Sequence, residues 1–152
     1  MKRVCSLVLA VILALGVTAC GGEKAKDVDV PGLATALATQ VKFDSELKTL
    51  TAEQLGNYVT LPEGTEAAGY MSGGTTAEEI IVAKCASESD AKALKESIES
   101  FLADQRAEME RYLPQETARL EKAVLAQKGS CVVLCVSTDT DTVEQIIKEH
   151  LG

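Results

Sequence analysis

Between Ala67 and Leu151 the hydrophobic period of this chain switches twice from two to 3.6, and that double switch constrains the fold most. Alternating apolar side chains bury one face of a strand, whereas apolar side chains three and four apart bury one stripe of a helix. Ala67 to Ser72 reads as a strand, Gly73-Gly74-Thr75-Thr76 as a turn, and Glu79 to Ala86 as a second strand. In the second, Ile80, Val82 and Lys84 share one face while Ile81, Ala83 and Cys85 share the other. Ser87-x-x-Asp90 then caps the longest element, a helix running to about Leu113. Its stripe is Leu94, Ile98, Phe101, Leu102, Gln105, Met109 and Tyr112, with Gln105 the single amide among them. Pro114 stops it.

The order repeats. Ala123 to Gln127 reads as a strand, Lys128-Gly129-Ser130 as a turn, and Cys131 to Ser137 as another strand. Asp141-x-x-Glu144 opens a last helix carrying Val143, Ile146, Ile147 and Leu151. Two ββα units therefore predict an α+β fold: one four-stranded antiparallel sheet with helices packed on one face. Short N-terminal helices precede it. Asp29 caps one, with Pro31 in its first turn and Leu33, Ala36, Leu37 and Val41 at helical spacing. Thr51-Ala52-Glu53-Gln54 has capping-box spacing and opens a second through Leu55, ended by Gly56-Asn57. Phe43 to Leu50 is an ambiguous connection, and Leu61-Pro62-Glu63-Gly64 a turn.

The first residues carry a different signal. Lys2 and Arg3 precede an apolar run from Val4 to Val17, which is shorter than the roughly 20 residues a membrane-spanning helix needs. Val17-Thr18-Ala19-Cys20 follows, and it looks like a bacterial lipobox. Residues 1–19 then form a lipoprotein signal peptide that is removed, taking Cys5 with it. Residues 20–28 are the lipidated Cys20 and a flexible polar tether, and residues 29–152 form a single globular domain. The resemblance to a lipobox implies a thioether-linked diacylglyceryl group on Cys20, with or without a third, amide-linked acyl chain such as palmitate. At about 0.8 kcal/mol per buried methylene, two chains anchor stably where one does not. The expected location is the extracytoplasmic face of the cell membrane.

Charge narrows the partners. Without Lys2 and Arg3 the chain has 13 basic against 23 acidic side chains, a net charge of −10. Such a surface repels phosphate backbones and anionic head groups, so no nucleic acid is expected as a partner. Aromatics are few: Phe43, Tyr58, Tyr70, Phe101 and Tyr112, with no Trp. No two are adjacent, which argues against a platform for stacking sugars or bases.

Three cysteines of the domain are the remaining reactive groups: Cys85, Cys131 and Cys135. Four residues of strand rise about 13 Å, whereas disulfide-linked Cα atoms lie within roughly 7 Å, so Cys131 and Cys135 cannot bridge each other. Cys85 can pair with one of them only if its strand neighbours theirs. The chain lacks the CxxC at a helix N-terminus that redox enzymes use, and buried core thiols are the expected state. His150, the sole histidine, sits two residues from the C-terminus, leaving no basis for a His triad or a His-rich metal site. Glu78-Glu79 and Glu108-x-Glu110 are paired carboxylates without flanking aromatics, read as solvated faces. Gly73-Gly74 lacks the lysine of a phosphate loop, and Asp139-Thr140-Asp141 lacks the glycine and distal glutamate of a calcium loop. No catalytic residue, cofactor site or metal site is expected.

The ensemble has a further likeness. Behind the lipobox come Asp27-Val28-Asp29 before a short helix, and Tyr70-Met71-Ser72-Gly73-Gly74 followed by Thr76-Ala77-Glu78-Glu79-Ile80. Then come Ala103-Asp104-Gln105 in the long helix and Lys128-Gly129 before an apolar strand. Together they resemble a family of small cell-envelope lipoproteins from Gram-positive bacteria, known only as a domain of unknown function. A position that often holds an aromatic in that family, at the start of the last strand, is Cys131 here. The resemblance implies a location and a fold, and no activity. The expected role is a non-catalytic binding or interaction module, its partners the membrane through the covalent lipid and an unknown protein or envelope ligand. The alternative is a thiol-dependent redox or sensing protein using Cys85, Cys131 and Cys135.

Overall fold

The computed structural model describes residues 27–152. The expected signal peptide, Cys20 and the expected tether as far as Lys26 lie outside the described residues. In chain order the elements are α1 (Val30–Gln40), β1 (Leu47–Leu50), α2 (Ala52–Leu55), β2 (Glu66–Ser72) and β3 (Glu79–Lys84). They continue as α3 (Glu88–Tyr112), α4 (Pro114–Leu120), β4 (Val124–Lys128), β5 (Cys131–Val136) and α5 (Thr140–Leu151). The fold is α+β, with one open antiparallel sheet in the order β1-β2-β3-β5-β4.

Local signals are met where side chains reach their own backbone. Asp29 accepts from Gly32 N at 3.0 Å, and Ser87 Oγ accepts from Asp90 N at 3.1 Å. Thr51 and Gln54 complete the reciprocal capping box of α2. The caps satisfy N–H groups that a helix start leaves without partners. Pro114 ends α3 and also opens α4, because a missing N–H does no harm in a first turn. The expectation of a cap at Asp141 is off by two residues: Asp139 is the N-cap of α5, and Asp141 lies in the first turn.

The sheet has five strands rather than four. The extra one, β1, is a four-residue edge strand too short to show a period, and it lies within the stretch from Phe43 to Leu50. The helices also cover both faces, not one. Against one face α1 and α5 pack Leu33, Leu37, Val143 and Ile146 onto Ile80, Val82, Val133 and Cys135. Against the other, α2, α3 and α4 pack Leu55, Leu94, Ile98 and Leu120 onto Ile81, Ala83, Val132 and Leu134. The ββα order is present twice in the chain, but α3 and α5 go to opposite faces. The reason lies in the central strands: every residue of β5 is buried, as is every residue of β3 except Lys84. A strand apolar on both sides needs a layer on each. Each such side chain contributes about 1.5–3 kcal/mol, and both layers are needed to collect it.

Gly69 sets how closely α2 can sit. A Cβ there would lie 2.9 Å from Leu55 Cδ2 and 2.8 Å from the Ile80 carbonyl oxygen. Tyr112, expected on the buried stripe of α3, is 75% exposed, because the helix outruns the sheet before it ends.

Candidate functional site

Glu78 and Glu79, read from sequence as solvated, are 0% and 1% exposed. Glu79 opens β3 and Glu78 immediately precedes it, where the hairpin from β2 returns, and their side chains go to different surroundings. Glu78 is saturated: Asp44 N donates to Oε1 at 2.7 Å, Ser45 N to Oε2 at 2.8 Å, Thr76 Oγ1 to Oε2 at 3.0 Å, and Arg119 Nη1 to Oε1. Arg119, with 10% of its side chain exposed, also donates through Nη2 to Asp44 Oδ2 at 2.7 Å. Its Nε lies 2.9 Å from Glu116 Oε2, and that same oxygen accepts from Ala77 N at 2.9 Å. One guanidinium thus ties three carboxylates from three parts of the chain, using a fork that matches carboxylate geometry. It occupies the centre that a metal ion would need.

Glu79 has no such complement. Strand register sets Lys48, Met71, Glu79 and Val136 abreast across four strands, on the face covered by α3. Gln105, the lone amide on the stripe of α3, donates through Nε2 to Glu79 Oε2 at 3.2 Å. Glu79 Oε1 and Gln105 Oε1 are both buried with no hydrogen-bond partner. Burial pushes the Glu79 carboxyl up to about 8, against the weaker opposing pull of Gln105. At neutral pH it is mostly a neutral acid.

These two side chains line a cleft of about 460 Å³. Leu50, Tyr58, Met71 and Met109 supply apolar walls, and exposed Lys48 and the Gly73-Gly74 turn supply its rim. Tyr58 is held by Phe101, with ring centroids 5.9 Å apart. A mostly apolar cleft with a few convergent polar groups and a shifted acid is the usual form of a small-molecule site. A second depression, lined by Glu88, Lys92, Lys95 and Gln127, involves only polar side chains at the surface, none of them buried.

The structure does not bring the three cysteines into one site. All are buried and free. Cys131 and Cys135 face α1 and α5, whereas Cys85 belongs to the core on the opposite side. Burial pushes Cys131 up to about 11 and Cys135 up to about 12, and it raises Cys85 as well. Thiols so held are protonated and poor nucleophiles. Glu108 and Glu110 are exposed, as expected. His150 lies in the last turn of α5. The glycines at 73 and 74 form the expected hairpin turn, Gly74 at φ +88°. Cys20 lies outside the described residues.

Sequence reasoning missed Glu79, Gln105 and Arg119 as a group. For Glu79 the signal was present: it shares strand parity with Ile81 and Ala83, so it points inward with them. For Gln105 the signal was its place on an apolar stripe. Arg119 gave little, since two of its three carboxylate partners are 41 and 75 residues away and only Glu116 is local.

Among the described residues, no helix is long and apolar enough to cross a membrane. No curated protein and no solved structure matches the chain. A family model does match residues 63–137, the stretch from just before β2 to just after β5. It takes in Glu78, Glu79, Gln105, Glu116 and Arg119, but not Asp44, Lys48 or Tyr58. The family that this segment matches is described as Domain of unknown function (DUF4358).

Proposed function

We propose that the protein is a non-catalytic binding module, held on the outer face of the cell membrane by lipid on Cys20, with the Glu79–Gln105 cleft as its ligand site. The observation that carries this reading is the buried carboxyl of Glu79, with one oxygen unpartnered, in a cleft walled by Leu50, Tyr58, Met71 and Met109. Leaving such a group unmet costs about 1–3 kcal/mol, and a ligand would recover it. Binding is favoured over catalysis because no nucleophile–base pair stands beside Glu79 and its neighbouring carboxyl is not free to share acid–base work. The adjacent Glu78 is committed to four donors.

The placement of the cleft fits a tethered module. Asp27, the first described residue, pairs with Lys84 at the far end of β3 from Glu79. Five residues of strand separate the two ends by about 17 Å. A cleft on the side away from the tether would face ligands outside the membrane.

Methionine offers a direct test. The chain has three, and with Met1 removed the other two, Met71 and Met109, both line the cleft. In mature protein carrying ¹³C-methyl methionine, ligands found by screening an envelope-metabolite library should shift both methyl signals. Ligands that bind while leaving both signals unmoved, or a library without a binder, would overturn the cleft as the site. Mass spectrometry of the same protein from its host should find diacylglyceryl on Cys20; an unmodified or differently cleaved N-terminus would remove the anchor.

A further inference from the structure

We infer that the Glu79–Gln105 cleft takes an organic ammonium ion, a primary amine on a short apolar body, and exchanges it for the proton of Glu79. The inference rests on the cleft being the ligand site and goes on to name the ligand's chemistry.

The two side chains present unmatched acceptors. Glu79 Oε1 and Gln105 Oε1 are buried without partners, while the amide's Nε2 is already used on Glu79 Oε2. Once Glu79 gives up its proton, the site has two unmet acceptors and no unmet donor, which fits a ligand that donates at least twice. An ammonium carries three N–H donors and no acceptor. The walls, Leu50, Met71, Met109 and Tyr58, suit an alkyl or aryl body, and thioether side chains adapt to its shape. The whole mature chain, at −10, attracts cations toward its surface.

The charged and titratable groups around Glu79 can be counted element by element. From β1, Lys48 stands in the same cross-strand row, at the exposed rim. From β5, the neutral thiol of Cys135 lies on the opposite face. From α3, Gln105 and Met109 carry no charge. Next along the chain Glu78 is paired with Arg119 of α4, which also holds Glu116 and Asp44, so this cluster offers Glu79 no free cation. Tyr58 contributes a phenol. No cation therefore satisfies Glu79 from within.

In the empty cleft near neutral pH, Glu79 holds its proton because burial disfavours the anion. As the ammonium enters, the carboxyl O–H bond breaks, the proton passes to solvent, and the resulting carboxylate accepts N–H bonds from the ligand. One proton leaves for each ligand bound. Affinity should therefore rise about tenfold per pH unit below about 8 and level off above it.

The test uses mature lipidated protein in micelles with three probes of equal length: n-butylamine, 1-butanol and butanamide. Butylamine should shift the Met71 and Met109 methyl signals, bind about tenfold more tightly at pH 7 than at pH 6, and release protons in calorimetry repeated in two buffers. Glu79→Gln, uncharged and of the same shape, should lose at least tenfold in amine affinity while its circular dichroism is unchanged. Butanamide or butanol binding more tightly than butylamine would overturn the ammonium assignment while leaving the cleft as a ligand site. Amine binding that is independent of pH, or unaltered in Glu79→Gln, would overturn it too. An absence of methyl shifts with butylamine would also reject the assignment, the cleft itself then being judged by the library screen.

Discussion

Glu79 and Arg119 show how burial turns one side chain into a liability and another into a clasp. Glu79 has an ordinary pKa of 4.5 when unfolded and about 8 when folded. Below about 4.5 both states hold the proton and its contribution to stability is complete. As pH rises, the unfolded chain releases the proton first, so stability falls until about 8 and is level beyond. At about 1.4 kcal/mol per pKa unit the fall is several kcal/mol. Glu79→Gln should lack this slope: in urea titrations it should match the parent near pH 4 and exceed it above pH 8. A parent protein with no loss of stability across that window would contradict the buried acid. Arg119 makes the opposite prediction. Arg119→Met leaves Asp44, Glu78 and Glu116 without their shared cation and should destabilise by about 3–5 kcal/mol at pH 7. Arg119→Lys should recover only part of this in the same urea titration, since an ammonium cannot form the fork.

At the scale of elements, the sheet is held by its two central strands and trimmed at its edges. The edge strands β1 and β4 have four and five residues, and each carries a lysine, Lys48 or Lys128. Short, charged edges discourage pairing with another chain. The contact between α2 and the sheet depends on an absent side chain. Gly69→Ala would place a Cβ 2.9 Å from Leu55 Cδ2 and 2.8 Å from a strand carbonyl that cannot move independently. Overpacking of this kind costs about 1–3 kcal/mol, and thermal melting should show the loss. In a double-mutant cycle with Leu55→Ala, which removes the clashing methyl, the combined loss should be smaller than the sum of the two single losses; an unaltered melting temperature for Gly69→Ala alone would contradict the close approach. Because Tyr58, which borders the cleft, lies just beyond the end of α2, the double variant should also weaken ligand-induced shifts at Met71.

For the whole molecule, the sheet divides the interior into two cores, and the thiols lie in both. Cys131 and Cys135 sit beneath α1 and α5, and Cys85 lies on the side of α3. None has more than 5% of its surface exposed. Iodoacetamide at pH 8 should therefore leave all three unlabelled in the native protein and label all three in denaturant, as read by mass. Rapid native labelling of Cys85 alone would mark local opening of the β3–α3 junction. Labelling of the cysteines on both sides at one rate would report global unfolding instead.

Much of this was legible in the chain. The caps at Asp29, Thr51 and Ser87, the hairpin turns, the long helix and the order of strands are local matters, decided within three or four residues. Period also carried the strand parity that Glu79 shares with Ile81 and Ala83 and the oddity of Gln105 on an apolar stripe. What period could not carry was the number of layers or the fate of a charge. β1 exists because Leu47–Leu50 finds β2 as a partner, not because four residues prefer to be extended. Glu78 is quiet because Arg119, 41 residues on, reaches it, and Glu79 is uneasy because Gln105, 26 residues on, answers only one of its oxygens. Sequence by itself determined which backbone groups hydrogen-bond to near neighbours. Only the tertiary structure decided which buried charges found partners, since desolvation and pairing depend on groups that meet in space from distant parts of the chain.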